Sequence, residues 1–331
     1  MPYFRPLRIW HRQRSTSKSN DRVHMPIEIP ANVDSCDVRC GTKKVTLTNL
    51  QKIFWPELKK TKRDLLAYYA SIAPTILPHL KERAMVMKRY PNGITGDFFF
   101  MKRTPEHRPE WIETCSITHK SGNVIDFPIA QDLASLLWIV NLGCIDLNPW
   151  YARCDDVDRP DFLHFDLDPV PPAEFAHVRQ AALLVRAYLE ERNVHSVPKT
   201  TGSRGIHIYV AIRRAPVQKE VWRVAKQAAL ALAKEHPDRL TAEYRVAKRP
   251  AGRVLVDYNQ NAWGRTLASV YSVRPRPEAT VSAPVTWEEI EAGISTSDLT
   301  MDSMPERIAN LGDLFKPVLQ TRSRCPLEVL A

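Results

Sequence analysis

The chain has 331 residues, 44% of them apolar, enough for one large domain or two ordinary ones with a sizeable core. Lys and Arg number 47 against 37 Asp and Glu, an excess of ten positive charges that points to a polyanionic partner. This composition excludes a fully disordered chain, and eleven glycines exclude a collagen-like one.

Residues 1–30 mix Arg, Ser, Pro and His without periodicity and read as a flexible basic arm. Residues 1–24 alone hold six Lys or Arg and one Asp; the plainer alternative is a poorly ordered tail with Met25 as the true start. Neither a secretory signal nor a membrane span is evident, since the longest apolar stretch, 133–142, is too short for a bilayer. Six cysteines (36, 40, 115, 144, 154 and 325) form no CxxC pair and read as reduced thiols of a cytoplasmic, nucleoid-associated protein. Order is expected from about Val45. Thr61 to Asp64 reads as a helix start, with Leu65, Leu66, Tyr69 and Ile72 at helical spacing and Pro74 and Pro78 punctuating the region beyond Ile72. Ala84–Arg89 and Phe98–Lys102 read as strands around a Tyr90–Gly93 turn, Ser121–Asn123 as another turn, and 131–142 as a helix.

In the centre, Leu163, Phe165 and Leu167 alternate with His164, Asp166 and Asp168, the period-2 pattern of a half-buried strand ended by Pro171 and Pro172. A helix follows on Phe175, Val178, Ala182, Val185 and Leu189, then a strand on Ile206, Ile208 and Val210, and a helix over 221–234. Arg253–Tyr258 and Thr266–Val273 read as two further strands. Thr286 to Glu289 is a capping box opening a helix, and 305–311 a last one before a tail at 321–331. Strands and helices mix irregularly, so the fold class expected is α+β rather than a doubly wound parallel sheet.

Asp166 and Asp168 share one strand face about 6.5 Å apart, a spacing that lets both carboxylates reach one divalent cation or clamp a pair. A solvated strand end is the plain alternative. Asp166-Leu-Asp-Pro-Val170 also fits the nucleophile motif of haloacid-dehalogenase-type phosphatases, with Asp166 attacking phosphorus. Lys199 to His207 packs two Gly, three hydroxyls and two cations before a strand, which suits a phosphate cradle without the Walker spacing. Asp257 closes an apolar strand as a third acid, and Arg265 and Arg274 follow it. Together, three acids and several cations describe a nucleoside triphosphate bound through metal.

These segments, HFDLDP, SRGIHIYV, and VLVDYNQN with TLASVYSVRPRP, resemble the three motifs of the archaeo-eukaryotic primase superfamily. The likeness is closest to the polymerase domain of bacterial ligase D and its stand-alone primase-polymerase relatives, and runs from about Val45 to Leu319. It implies an RRM-like mixed sheet flanked by helices, with one domain over 31–320: a DNA-binding portion at about 45–150 and a catalytic core at about 160–320. It implies template-directed nucleotidyl transfer, as a DNA-dependent DNA or RNA polymerase filling short gaps in DNA repair, with two divalent ions, Mn2+ or Mg2+. By matching position, Asp166, Asp168 and Asp257 hold metal, and Thr201, Ser203, Arg204, His207, Arg265 and Arg274 contact the nucleotide, NTP or dNTP. Lys88 and Arg89 hold template phosphates, and Phe99 and Phe100 stack near the templating base, although a buried strand would claim at least one of Phe98–Phe100. Asn49, Lys52 and Lys62 match positions that grip a recessed 5′-phosphate in gapped or broken DNA. Asn148 stands where relatives often carry a His, and Thr201 where some carry Ser. No KxDG ligase motif occurs in the sequence, so sealing is expected from a separate ligase, with Ku a candidate partner and no membrane involved. A non-catalytic DNA-end-binding factor is the alternative reading.

Overall fold

The computed structural model describes residues 27–330. The basic arm at 1–30, with its candidate start at Met25, lies almost wholly outside them. The described chain opens on a hairpin of β1 (Ser35–Cys40) and β2 (Lys43–Thr48), earlier than Val45. A short pair, β3 (Ile53–Trp55) and β4 (Lys60–Thr61), leads into α1 (Lys62–Leu80). Thr61 caps α1 reciprocally with Asp64, as the sequence indicates. Pro74 and Pro78 do not end this helix, which runs through both. Each proline removes one backbone hydrogen bond. The apolar face burying Leu65, Leu66, Tyr69, Ile72, Ile76 and Leu80 outweighs that loss.

Next come β5 (Met85–Arg89), β6 (Phe99–Met101), β7 (Thr114–Thr118), β8 (Val124–Pro128), α2 (Leu133–Asn141) and β9 (Cys144–Pro149). Here β6-β5-β9 form a three-stranded antiparallel sheet and β7-β8 a separate hairpin. After β10 (Ala152–Arg153) and β11 (Asp156–Pro160), the chain enters β12 (Phe162–Pro169), α3 (Phe175–Glu190), β13 (Val197–Thr200), β14 (Ile206–Ala211), α4 (Gln218–Glu235), β15 (Leu240–Thr241) and β16 (Val254–Asp257). These strands make a five-stranded sheet in the order β13-β14-β12-β16-β15, antiparallel except for the β15–β16 edge. The chain finishes with α5 (Trp287–Ala292), capped by Thr286 and Glu289, and α6 (Met304–Leu311). The fold is α+β.

Two expectations change. Strand β12 is covered on both faces rather than half-buried: Leu163, Phe165 and Leu167 pack into the apolar core beneath α3 and α4, while His164 and Asp166 are buried on the opposite side. Thr266–Val273 is largely buried but is no strand, and it turns at Val270 and Tyr271. Tyr271 adopts φ +62°; before it Ser269 N donates to Leu147 O, whereas Tyr271 N donates to Ser282 O and Ser272 O accepts from Ser282 N, so the partner changes across the kink. A continuous ladder cannot pass that kink.

Candidate active site

Strand β12 is the floor of the site. Asp166 pairs across the sheet with His207 on β14 and with Asp257 on β16, so three of the expected residues meet in one cross-strand row. Directly opposed residues on antiparallel strands project to the same face. His207 Nε2 lies 3.1 Å from Asp166 Oδ1. Asp168 extends the row on the same face, one pleat further along β12. Asp257 accepts a hydrogen bond from Asn259 N (2.9 Å) and one from Gln260 Nε2 (3.3 Å), which fix its carboxylate.

Burial pushes the Asp166 carboxyl up to about 7, aided by the charge of Asp257. Asp168 is likewise pushed up to about 7 by burial, then by Asp166 and Asp257. Burial also holds the His164 and His207 imidazoles well below the usual value, with Lys199 and Arg274 adding to the effect at His207. Among the described residues, no group of three or more His, Cys, Asp or Glu side chains is closed into a metal cage. The donor set nevertheless suits a divalent cation: three carboxylates share one face, and two of them are raised by burial and by the Asp257 charge, a shift that a nearby cation opposes.

The loop after β13 is built as a tight cradle. Thr201 Oγ1 accepts hydrogen bonds from Ser203 N (3.2 Å) and Gly205 N (3.1 Å), which spends its hydroxyl inside the loop. Gly202 has φ +63°, and a Cβ there would lie 2.6 Å from Arg274 Cγ. A Cβ at Gly205 would lie 2.4 Å from Leu167 O and 3.1 Å from Asp168 Oδ1. Glycine is therefore required at both places, and the loop is clamped between Asp168 and Arg274. Arg204 is exposed, and its charge pulls against the upward shift at Asp168, as does that of Arg249. Arg265 is also exposed. Lys199 does not join the cradle: its side chain is fully buried, and Nζ donates to Ala268 O (3.1 Å) and Ser282 Oγ (2.5 Å).

Across from this row stands the β6-β5-β9 sheet. Its Asp146, which no sequence motif marks, is 2% exposed and sits between two expected cations. Arg274 Nε lies 3.1 Å from Asp146 Oδ1, too bent for a hydrogen bond, and Lys88 Nζ lies 3.6 Å from Oδ2. Lys88 also stands 4.1 Å above the Phe98 ring. Arg89 is half-buried, donates from Nε to Leu142 O (2.6 Å) and lies 5.1 Å from the Phe99 ring. Phe98, Phe99 and Phe100 are 50%, 45% and 59% exposed, so burial claims none of the three. Asn148 Nδ2 donates to Asp146 O (3.0 Å) and is buried.

Asn49, Lys52 and Lys62 gather at the β2–α1 junction. Asn49 takes φ +54° and opens a turn in which Lys52 N donates to its carbonyl (3.2 Å). Lys52 Nζ donates to Asn92 Oδ1 (2.7 Å), and buried Lys62 to Thr48 O (2.7 Å). Burial, with Lys52 and Arg89 nearby, lowers Lys62 to about 8.

Acids on one sheet face, a glycine cradle beside them and exposed phenylalanines with Lys88 and Arg89 against their rings fit a nucleotidyltransferase of the primase-polymerase class. Residues 61–315 match the family model of the LigD primase-polymerase domain. The chain is 33% identical over 278 residues to the multifunctional non-homologous end joining protein LigD of Mycolicibacterium smegmatis, covering 83% of this chain and 36% of that protein. To the bifunctional LigD of Bacillus subtilis it is 30% identical over 288 residues, covering 87% of this chain and 46% of that protein. The polymerase domain of Mycobacterium tuberculosis ligase D, solved with DNA, superposes with a TM-score of 0.77 at 30% identity over 83% of this chain and 98% of that one. The chain thus belongs to the LigD primase-polymerase domain family and is a polymerase-type enzyme of a DNA-repair family. It spans less than half the length of these curated relatives. The antiparallel neighbours of β12 also argue against a dehalogenase-type phosphatase, whose sheet is parallel. No helix among the described residues is long and apolar enough to cross a membrane.

Proposed function

We propose that the protein extends a DNA primer across short gaps that carry a recessed 5′-phosphate, in the repair of broken DNA. The observation that carries this is the Asp166–Asp257 pair with Asp168 beside it, next to the Gly202–Gly205 cradle. Asp166, Asp168 and Asp257 hold two divalent ions, manganese in preference to magnesium. When bound, these ions lower the pKa of the primer 3′-hydroxyl and offset charge on the α-phosphate. Arg204, Arg265 and Arg274 take the triphosphate, and Thr201 and Ser203 shape the loop beneath it. His207, whose Nε2 lies against the Asp166 carboxylate while its Nδ1 has no hydrogen-bond partner, contacts the nucleotide beside that acid.

The portion at 45–150 grips the DNA and the portion at 160–320 handles the nucleotide. Phe99 and Phe100 offer open faces to template bases, each stack being worth about 1–3 kcal/mol. Lys88 and Arg89, against the Phe98 and Phe99 rings, hold template phosphates. Asn49, Lys52 and Lys62 receive the 5′-phosphate as hydrogen-bond donors and point charges. A ligase activity then seals the nick, with Ku as the end-binding partner.

Primer extension on gapped DNA tests this, with NTP and dNTP, in manganese and in magnesium, with and without the downstream 5′-phosphate. Incorporation is expected, with affinity higher for the phosphorylated gap, and Lys52→Ala should erase that difference. No incorporation under any of these conditions, or equal affinities for both gaps, overturns the reading.

A further inference from the structure

A cavity of about 640 Å3, lined by none of the acidic-row, cradle or Phe98–Phe100 residues, opens between the β7–β8 turn, the start of α4 and the loop that follows Asp257. Its walls are aromatic. Trp222 donates from Nε1 to Asn259 Oδ1 (3.3 Å), and Trp263 from Nε1 to Asp158 Oδ1 (2.8 Å). His119 meets the Trp263 ring edge-on at 5.5 Å, and its buried Nε2 has no hydrogen-bond partner. The rim is cationic: Lys120 and Lys219 are exposed at the mouth, and Lys226 Nζ stands 5.3 Å from the Trp222 ring. The one acid in the lining, Asp158, is already engaged by Trp263.

Position selects the occupant. Asn261 clamps His164 through its side chain, accepting from His164 N (3.1 Å) and donating to His164 O (2.7 Å). His164 lies one pleat, about 7 Å, before Asp166 on the same face of β12. Asp168 and the glycine cradle lie in the opposite direction. The nucleotide's phosphates thus belong at one end of the acidic row and the template along the Phe98–Phe100 edge. On the Asp257 side the row is tied to the cavity wall through Asn259, whose N donates to Asp257 Oδ1 (2.9 Å) and whose Oδ1 accepts from Trp222 Nε1 (3.3 Å). An aromatic chamber rimmed by lysines suits a base held by stacking with its phosphates at the mouth.

We propose that this cavity is the seat of the primer strand, holding a nucleotide a few positions upstream of the 3′-hydroxyl. The assignment rests on the polymerase reading for the identity of the strand, though not for its being nucleic acid.

The test uses the full chain and a primer–template carrying 5-iodouracil at successive primer positions, without nucleotide. Irradiation should link an upstream primer base to the peptide holding Trp222 or Trp263. Combined Lys120→Ala and Lys219→Ala should weaken primer–template binding about tenfold and lower the salt slope by about 2, leaving the nucleotide KM unchanged. Trp222→Ala should weaken it about tenfold while Trp222→Phe stays near wild type. The lysines are exposed, so their loss leaves the fold intact, as circular dichroism should verify. Cross-links confined to other peptides, or wild-type affinity in the double lysine variant, overturn the proposal. So does protection of the cavity by a peptide or small molecule with DNA excluded. Cross-linking at Trp222 or Trp263 by a protein that extends no primer retains the nucleic-acid site and removes only the polymerase reading.

Discussion

Replacing Asp257 by Asn separates what the acidic row does for catalysis from what it does to the fold. Asp166 and Asp168 are both pushed up to about 7 by burial, with the Asp257 charge adding to the rise at each. In the metal-free protein the folded state therefore holds protons that the unfolded chain releases near pH 4, and stability falls as pH rises from about 4 through about 7. Two unit charges about 6 Å apart at an effective dielectric of about 20 repel by about 3 kcal/mol. Asn removes one such charge yet keeps an acceptor for Asn259 N, so the cap at Asp257 survives. Asp257→Asn should thus stabilise the chelator-treated protein by about 1–3 kcal/mol at pH 8 and hardly at all at pH 5, where Asp166 and Asp168 are already protonated. The same variant should lose primer extension by about a thousandfold or more, with gapped-DNA binding nearly intact. Urea unfolding in chelator at the two pH values, beside extension assays, decides it. A destabilised variant at pH 8, or a change independent of pH, refutes the repulsion argument. Lost binding with retained turnover refutes the catalytic one.

The cradle and the β2–α1 junction each give a further expected outcome. Gly205→Ala puts a methyl 2.4 Å from Leu167 O and should cost about 1–3 kcal/mol in urea unfolding, with extension falling more steeply because the displacement reaches Asp168. Near-wild-type activity would show that the loop can move away from β12. Lys62, lowered to about 8 by burial and its cationic neighbours, loses its proton as pH rises through that value. The affinity gained from a 5′-phosphate should therefore shrink between pH 7 and 9. Lys62→Met should flatten that dependence, as anisotropy on paired 5′-phosphate and 5′-hydroxyl gaps will report.

The acidic row was legible because a strand writes itself in period two, and Asp at alternate positions among Leu and Phe in Phe162–Pro169 has few structural uses. Capping boxes at Thr61 and Thr286 were legible for a similar reason, since cap and partner lie three residues apart. Asp146 was not. It lies on β9, where all six residues are buried and no alternation marks a face. Its two cations come from β5 and from the chain beyond β16, far apart in sequence. Lys199 misled in the opposite sense, because a lysine beside two glycines reads as a phosphate ligand until its Nζ is found bonded to Ala268 O and Ser282. Thr266–Val273 has strand composition, yet whether extended chain joins a sheet depends on a partner edge that its own residues do not specify.

Asp146 also explains how two halves of the molecule act as one site. The β6-β5-β9 sheet carries Lys88 and the exposed phenylalanines, and the five-stranded sheet carries the acids and the cradle. A buried carboxylate between Lys88 and Arg274 is pushed upward by desolvation and pulled back first by Arg274 and then by Lys88. Lys199 adds a further, weaker pull in the same downward direction. Arg274 in turn packs against Gly202, so its guanidinium, the cradle and Lys88 hold their positions through one acid. If Lys88 takes a template phosphate and Arg274 the triphosphate, as proposed, each would be drawn from the same carboxylate. Asp146→Asn should then reduce the effect of template on nucleotide affinity, and an unchanged effect in paired binding titrations would refute the link.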